Sequence, residues 1–176
     1  MSIYEKGLNY LKSLIGQPVG NYQCYAVAAI YSGIMNGPDL GAGTVYNQLE
    51  IVGDIYSASE IGNAYPWDKY GWSVTQKPEY DQLKIGAILC YERGIDLSDS
   101  FTTHEYYGHC AVICGLEDGR IQTYEQKGEQ GEIVAEYNRE FLGMETIASV
   151  IMMPDFDGEP TDFIHGQAPM EDAGKE

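Results

Sequence analysis

The chain has 176 residues, 44% of them hydrophobic, which suits one folded domain with a real core and is too short for two of ordinary size. A formal net charge of −17 sets it against nucleic acid and anionic membranes by Coulomb repulsion, and leaves either a plain solvated acidic surface or one that docks on a basic partner. No apolar run approaches a bilayer span, and Met1-Ser2-Ile3-Tyr4-Glu5-Lys6 has no basic stretch leading into an apolar one, so neither membrane insertion nor a secretory leader is expected.

Ser2 and Glu5 form a capping-box pattern, and Ile3, Leu8, Leu11, Leu14 and Ile15 recur at helical spacing. The first helix is predicted to run to about Ile15, where Gly16-Gln17-Pro18 stops it. The second begins near Cys24 and ends at Asn36-Gly37-Pro38, read as a C-cap glycine followed by a breaker. From Asp39 to Tyr80 the chain is rich in Gly, Asn, Ser and aromatics, with 45–51 and 58–61 as the short helical pieces. Strands are predicted at 85–91, 109–115, 120–126, 132–137 and 146–153, with a hairpin turn at Asp118-Gly119 and a polar loop over 92–107. Helices followed by an antiparallel sheet of five to six strands make an α+β fold. The expected division is a domain over 1–153 and an acidic tail or linker over 154–176.

Four cysteines without a secretory leader do not read as a disulfide framework. Cys90, Cys110 and Cys114 sit in apolar runs, where free Cys behaves as a small core residue. Cys24 differs, because it opens the small-residue helix Cys24-Tyr25-Ala26-Val27-Ala28-Ala29-Ile30. There the helix dipole and unpaired backbone N–H groups favour the thiolate.

Downstream, Gly108-His109 opens an apolar strand, and Tyr124-Glu125-Gln126 lies on the next one after a tight turn. Period-two alternation puts His109, Ala111 and Ile113 on one face and Cys110, Val112 and Cys114 on the other, with His109 expected on the face that meets the helices. Counted outward from the turn, Glu125 falls short of a position directly opposite His109 yet stays in its neighbourhood. A nucleophilic thiol, an imidazole and a carboxylate that orients it are the elements of a cysteine hydrolase. Singly, each residue is ordinary; the ordered set with its flanks carries the reading. No metal site is expected, since His104-Glu105 and His109 lack the zinc-protease spacing and Cys110 with Cys114 lacks further ligands. No cofactor is expected either.

Several blocks in order resemble the CHAP family of cysteine- and histidine-dependent amidohydrolases and peptidases, and are similar to CHAP domains of certain streptococcal phage lysins. They are Gly20-Asn21-Tyr22-Gln23-Cys24-Tyr25-Ala26, Gly41-Ala42-Gly43, Ile61-Gly62-Asn63-Ala64-Tyr65-Pro66-Trp67, Tyr70-Gly71-Trp72-Ser73-Val74, Leu83-Lys84-Ile85-Gly86, Tyr107-Gly108-His109 and Tyr124-Glu125-Gln126. The resemblance implies a papain-like α+β fold with Cys24 as nucleophile, His109 as general base and then acid, and Glu125 as the group orienting His109. It also points to Gln23 as an oxyanion-site side chain. Trp67, Trp72 and Tyr107 are the rings expected to contact substrate, against the plainer reading that such aromatics fill the core.

Two departures stand out. Lys127 occupies the place where the family commonly has Asn, so Lys127 is expected to point outward and Glu125 to orient His109 alone. The segment Gly16-Gln17-Pro18-Val19-Gly20-Asn21-Tyr22 has no carboxylate where some members bind calcium, so metal independence is expected. The implied activity is cleavage of an amide bond in bacterial peptidoglycan, as endopeptidase or N-acetylmuramoyl-L-alanine amidase, by a phage-type enzyme. It would wait in the host cytoplasm for holin-dependent release, or ride on the virion, with a separate wall-binding subunit or virion protein as partner. The alternative is a noncatalytic virion or wall-binding protein that keeps the fold.

Overall fold

The computed structural model describes residues 3–40 and 57–154. The expected capping box at Ser2, the helical piece at 45–51 and the tail from Asp155 on lie outside them. Helix α1 spans Ile3–Ser13 and α2 spans Cys24–Ile34. A single 3-10 turn over Ala58–Glu60 leads into the short α3, Ile61–Ala64. Strands follow at β1 Ser73–Gln76, β2 Ile88–Tyr91, β3 Asp96–Ser98, β4 Phe101–Thr102, β5 His109–Glu117, β6 Arg120–Gly128, β7 Gly131–Glu140 and β8 Ile147–Met152.

Helix α1 stops short of Ile15, because Ile15 turns away to bridge Val134 on β7 in parallel. The Gly16 N–H donates to the Val134 carbonyl at 2.8 Å, and the Val134 N–H donates to the Gln17 carbonyl at 3.0 Å. At the end of α2 the left-handed position falls to Asn36 (φ 59°) rather than Gly37, whose N–H reaches back to the Ser32 carbonyl at 2.8 Å. Asn tolerates that conformation, and the closure is a Schellman one.

Among the described residues, six strands form one antiparallel sheet in the order β1-β8-β2-β5-β6-β7. Strand β1 was not predicted; it lies within the aromatic-rich excursion and pairs with β8. The segment read as a loop over 92–107 carries the small hairpin β3–β4. Asp118 and Gly119 both take positive φ (51° and 75°), the primed turn that matches strand twist, so the hairpin is the one expected.

Every residue of α2 is buried, as a helix apolar all round must be. It packs with Ile88, Cys90, Cys110, Val112, Tyr124 and Ile151 on one face of the sheet. The other face holds a second core of Leu89, Tyr91, Leu97, Ala111, Ile113, Ile121 and Val150. The predicted alternation along β5 is therefore present, but the assignment of faces is reversed. Cys110 and Val112 face the helix, while the His109 ring lies against Tyr91 and Phe101 of the second core, at 6.3 and 4.9 Å between centroids. Alternation states which residues share a face; it does not state which face a helix will cover.

Gly108 holds the start of β5 in place. Its φ is 70°, and a Cβ there would sit 2.8 Å from the Tyr91 carbonyl oxygen and 2.7 Å from the Ser59 Cβ. Gly119 has φ 75° and open space around it. Gly119→Ala is expected to cost roughly 1–2 kcal/mol for the left-handed backbone alone. Gly108→Ala is expected to add about 1–3 kcal/mol of overpacking, read as the difference between the two variants in urea unfolding.

Candidate active site

Cys24 is the first residue of α2. The turn before it is shaped by left-handed backbone at Gly20 (φ 54°) and Tyr22 (φ 68°), and Gln23 is extended without a capping side chain. Gln126 on β6 fastens this turn. Its Oε1 accepts from the Val19 N–H at 2.8 Å, and its Nε2 donates to the carbonyls of Val19 at 3.0 Å and Gln23 at 2.8 Å. The helix N-terminus is thereby tied to the strand that carries Glu125.

His109 Nε2 and Glu125 Oε1 are 2.7 Å apart, and both residues are fully buried. A bulge brings them to one face. Near the turn Leu116 pairs with Ile121 and Gly115 with Gln122, but beyond the irregularity at Cys114 the pairing becomes Ile113 with Thr123 and Val112 with Tyr124. Extended to the strand start, the shifted register sets His109 across from Lys127 and diagonal to Glu125 on the same face. Without the extra residue His109 would stand across from Gly128, and Gln126 would share its face instead.

Glu125 is held by more than His109. Thr123 Oγ1 donates to Oε2 at 2.5 Å, and Arg139 Nε and Nη2 donate to Oε2 and Oε1 at 2.6 and 2.8 Å. Arg139, only 3% exposed, also reaches Glu129 at 2.7 Å and lies over the Tyr137 ring, 4.6 Å from its centroid. Sequence reasoning missed Arg139. The available signal was alternation along β7, which gives residues 135, 137 and 139 to the face that Ala135 shares with Glu125 across the pairing.

These contacts set the charges. Burial works against an ionised Glu125, but the His109 charge and the Arg139 hydrogen bonds outweigh it and hold the carboxyl down at about 2. Burial likewise opposes imidazolium at His109, yet Cys24 and Glu125 push it up to about 10. The Cys24 thiol, also disfavoured as an anion by burial, lies well below its ordinary value because Cys110 donates a hydrogen bond to it and His109 supplies positive charge. With Nε2 occupied by Glu125, Nδ1 is the His109 nitrogen left without a hydrogen-bond partner, and it is buried. The arrangement favours a thiolate at Cys24 and an imidazolium at His109, backed by a clamped carboxylate.

Other expected site residues are distributed differently. Trp67 and Trp72 are 1% and 3% exposed, packed on each other at 5.0 Å within the α2 core, with Trp67 Nε1 donating to the Ile61 carbonyl. As core residues they present no face to a polymer. Tyr107 is half-buried against Tyr106 and His104. Among the described residues, Tyr22 at 49% and Tyr106 at 58% are exposed rings close in sequence to Cys24 and His109. Lys127 does not point outward: its φ is 62°, and its Nζ donates to Gln23 Oε1 at 3.1 Å. A cavity of about 530 Å³ between α1 and the sheet is lined by Glu5, Leu8, Asn9, Lys12, Cys114 and Tyr124, and none of Cys24, His109, Glu125 and Arg139 lines it.

A family model described as the CHAP domain matches residues 16–127. Among curated proteins no sequence matches. Two solved structures of similar fold are Ly7917 with the hydrolyzing product of MDP (22% identity, TM-score 0.66, covering 86% of this chain and 62% of that one) and PlyC (22%, 0.67, 85% and 35%). A third is the endolysin LysIME-EF1, at 18% identity and TM-score 0.53, covering 88% of this chain and 65% of that one. At these identities the likeness is one of fold, and the chain spans under two thirds of each of these three.

The depressed Glu125 and raised His109 give stability opposite pH limits. The Glu125 contribution is present above its unfolded value of about 4.3 and is lost as pH falls toward about 2. The His109 contribution is present below about 6.5 and is lost as pH rises through about 10. Arg139→Met, which removes the guanidinium and its two hydrogen bonds from the buried Glu125 carboxylate, is expected to cost about 3–5 kcal/mol in urea unfolding at neutral pH. Adding Glu125→Gln is expected to cost less than the sum of the two single changes.

Proposed function

The chain belongs to the CHAP family, and on that premise we propose that it is a cysteine-dependent peptidoglycan hydrolase acting on an amide bond, as endopeptidase or N-acetylmuramoyl-L-alanine amidase. The observation that carries this reading is the charge relation between Cys24 at a helix N-terminus and a His109 whose Nε2 is fixed by Glu125. In the proposed reaction the Cys24 thiolate attacks the carbonyl carbon, and the oxyanion is met by the Cys24 backbone N–H and the Gln23 carboxamide. Imidazolium His109 gives the Nδ1 proton to the leaving amine, and the C–N bond breaks to a thioester. Neutral His109 then takes a proton from water as it attacks, and the sulfur leaves as thiolate.

Support for assigning the proton transfers to Nδ1 is the occupation of Nε2. Gln23 is steadied from two sides, since its carbonyl accepts from Gln126 and its side-chain oxygen from Lys127. That contact offers a use for the Lys127 departure: a cation on the carboxamide oxygen turns the NH2 away from itself and adds positive potential beside the nucleophile. Thr123 and Arg139 hold Glu125 where the family's Asn is missing, which favours the catalytic reading over the noncatalytic alternative. Tyr22, Tyr106 and Tyr107 take the place of the two tryptophans as the rings proposed to meet substrate. Residues 1–153 are proposed as the catalytic unit, delivered to the wall by a separate binding subunit or virion protein, after holin-dependent release from the host cytoplasm or from the virion itself.

Purified peptidoglycan digested with the protein and analysed by mass spectrometry tests the reading. New amine termini are expected with the wild type and none with Cys24→Ala; cleavage that survives Cys24→Ala contradicts it. The pH profile of kcat/KM is expected to be bell-shaped, with an alkaline limb near about 10 from His109 and an acid limb well below the ordinary thiol range from Cys24. Because the segment before Cys24 carries no carboxylate, chelator is expected to leave the rate unchanged.

A further inference from the structure

Helix α2 lays Cys24 across the start of β5, where successive residues point to opposite faces. His109 turns to the far face and Cys110 turns toward the helix, so the nucleophile meets both. Cys24 and Cys110 are fully buried members of the one core cluster formed where α2 packs on β5, and each thiol shifts the acidity of the other. A third thiol, Cys90, is the cross-strand partner of Cys110 on β2. On its other side Cys90 is paired across the sheet with Ser149 of β8, and burial pushes its thiol up to about 12. Cys114 is the bulged residue itself, beside Tyr124.

We propose that Cys110 is the resolving thiol of Cys24, so that the pair closes to a reversible disulfide when the protein meets a peroxide. The step balances without further reactants. The Cys24 thiolate attacks one oxygen of hydrogen peroxide, the O–O bond breaks, and the departing hydroxide takes the proton of imidazolium His109 to become water. The Cys110 sulfur then displaces the sulfenic oxygen from Cys24, and that oxygen leaves as a second water with the Cys110 proton. Sulfur is oxidised and peroxide reduced. The Cys110 proton is held by burial first and, while Cys24 is anionic, also by the thiolate that accepts it as a hydrogen bond. A neutral sulfenic acid on Cys24 removes the second restraint.

The consequence is protective. A buried sulfenic acid with no neighbouring thiol proceeds to sulfinic acid, which ordinary thiols do not reverse, whereas a disulfide is reopened by reduction. An oxidising compartment closes the pair and a glutathione-rich one reopens it. The proposal rests on the reading of Cys24 as the ionised thiol, and not on which bond the protein cuts.

The test treats the full chain with a small molar excess of hydrogen peroxide in the presence of dimedone, followed by intact and peptide mass analysis without reductant. The expected result is loss of two hydrogens, a cross-linked peptide joining Cys24 to Cys110, and return to the starting mass with dithiothreitol. In Cys110→Val the same treatment is expected to give a dimedone adduct or two added oxygens on Cys24. A dimedone adduct or added oxygen on Cys24 in the wild type, a link through Cys90 instead, or no oxidation of Cys24 would each overturn the proposal. Peptidoglycan cleavage by untreated protein, followed in parallel, separates the two readings: a Cys24–Cys110 link in a protein that cuts nothing sinks the hydrolase and leaves the modification site standing.

Discussion

The structure depends on one buried carboxylate. Glu125 has no exposed surface, yet it stays ionised because Thr123, Arg139 and His109 together supply the hydrogen bonds and charge that water would otherwise give. From it a chain of alternating charge runs Arg139, Glu125, His109, Cys24. Each member keeps the next in its ionised form against the pull of burial. On the proposed reading, a thiolate prepared in this way would need no rearrangement of solvent to attack, which is where preorganised sites gain most over water.

The chain of charges crosses the sheet, and backbone irregularities make the crossing. The bulge at Cys114 changes the parity of the β5–β6 pairing so that Glu125, not Gln126, shares the His109 face. Gln126 is thereby released to the opposite face, where it grips the turn before α2. Adjacent residues of one strand thus serve two sides of the site: Glu125 holds the His109 imidazole and Gln126 fastens the turn before Cys24. Gly108 adds the last constraint, since only a residue without a side chain passes the Tyr91 carbonyl at that φ.

Much of this was legible in the sequence. The order of Cys24, His109 and Glu125, the helix that Cys24 opens and the Asp118-Gly119 hairpin follow from local patterns of period and turn chemistry. What was not legible depends on long-range placement. The face that α2 covers, the extra residue at Cys114 and the reach of Arg139 from β7 are set by packing between segments distant in the chain. Trp67 and Trp72 were offered as substrate platforms because aromatic residues in a Gly-rich stretch suit both a cleft and a core, and burial decided for the core. Lys127 is expected outside because an ammonium cannot accept from an imidazole N–H; the structure gives it the Gln23 side chain instead.

The account stands on Cys24 being ionised at neutral pH through its neighbours. The rate of Cys24 alkylation by iodoacetamide as a function of pH, followed by mass spectrometry, measures that directly. The account predicts a half-point well below the ordinary thiol value of about 8.5, moving upward in Glu125→Gln as the imidazolium loses its support. A Cys24 that titrates near about 8.5, unmoved by the change at Glu125, would contradict it.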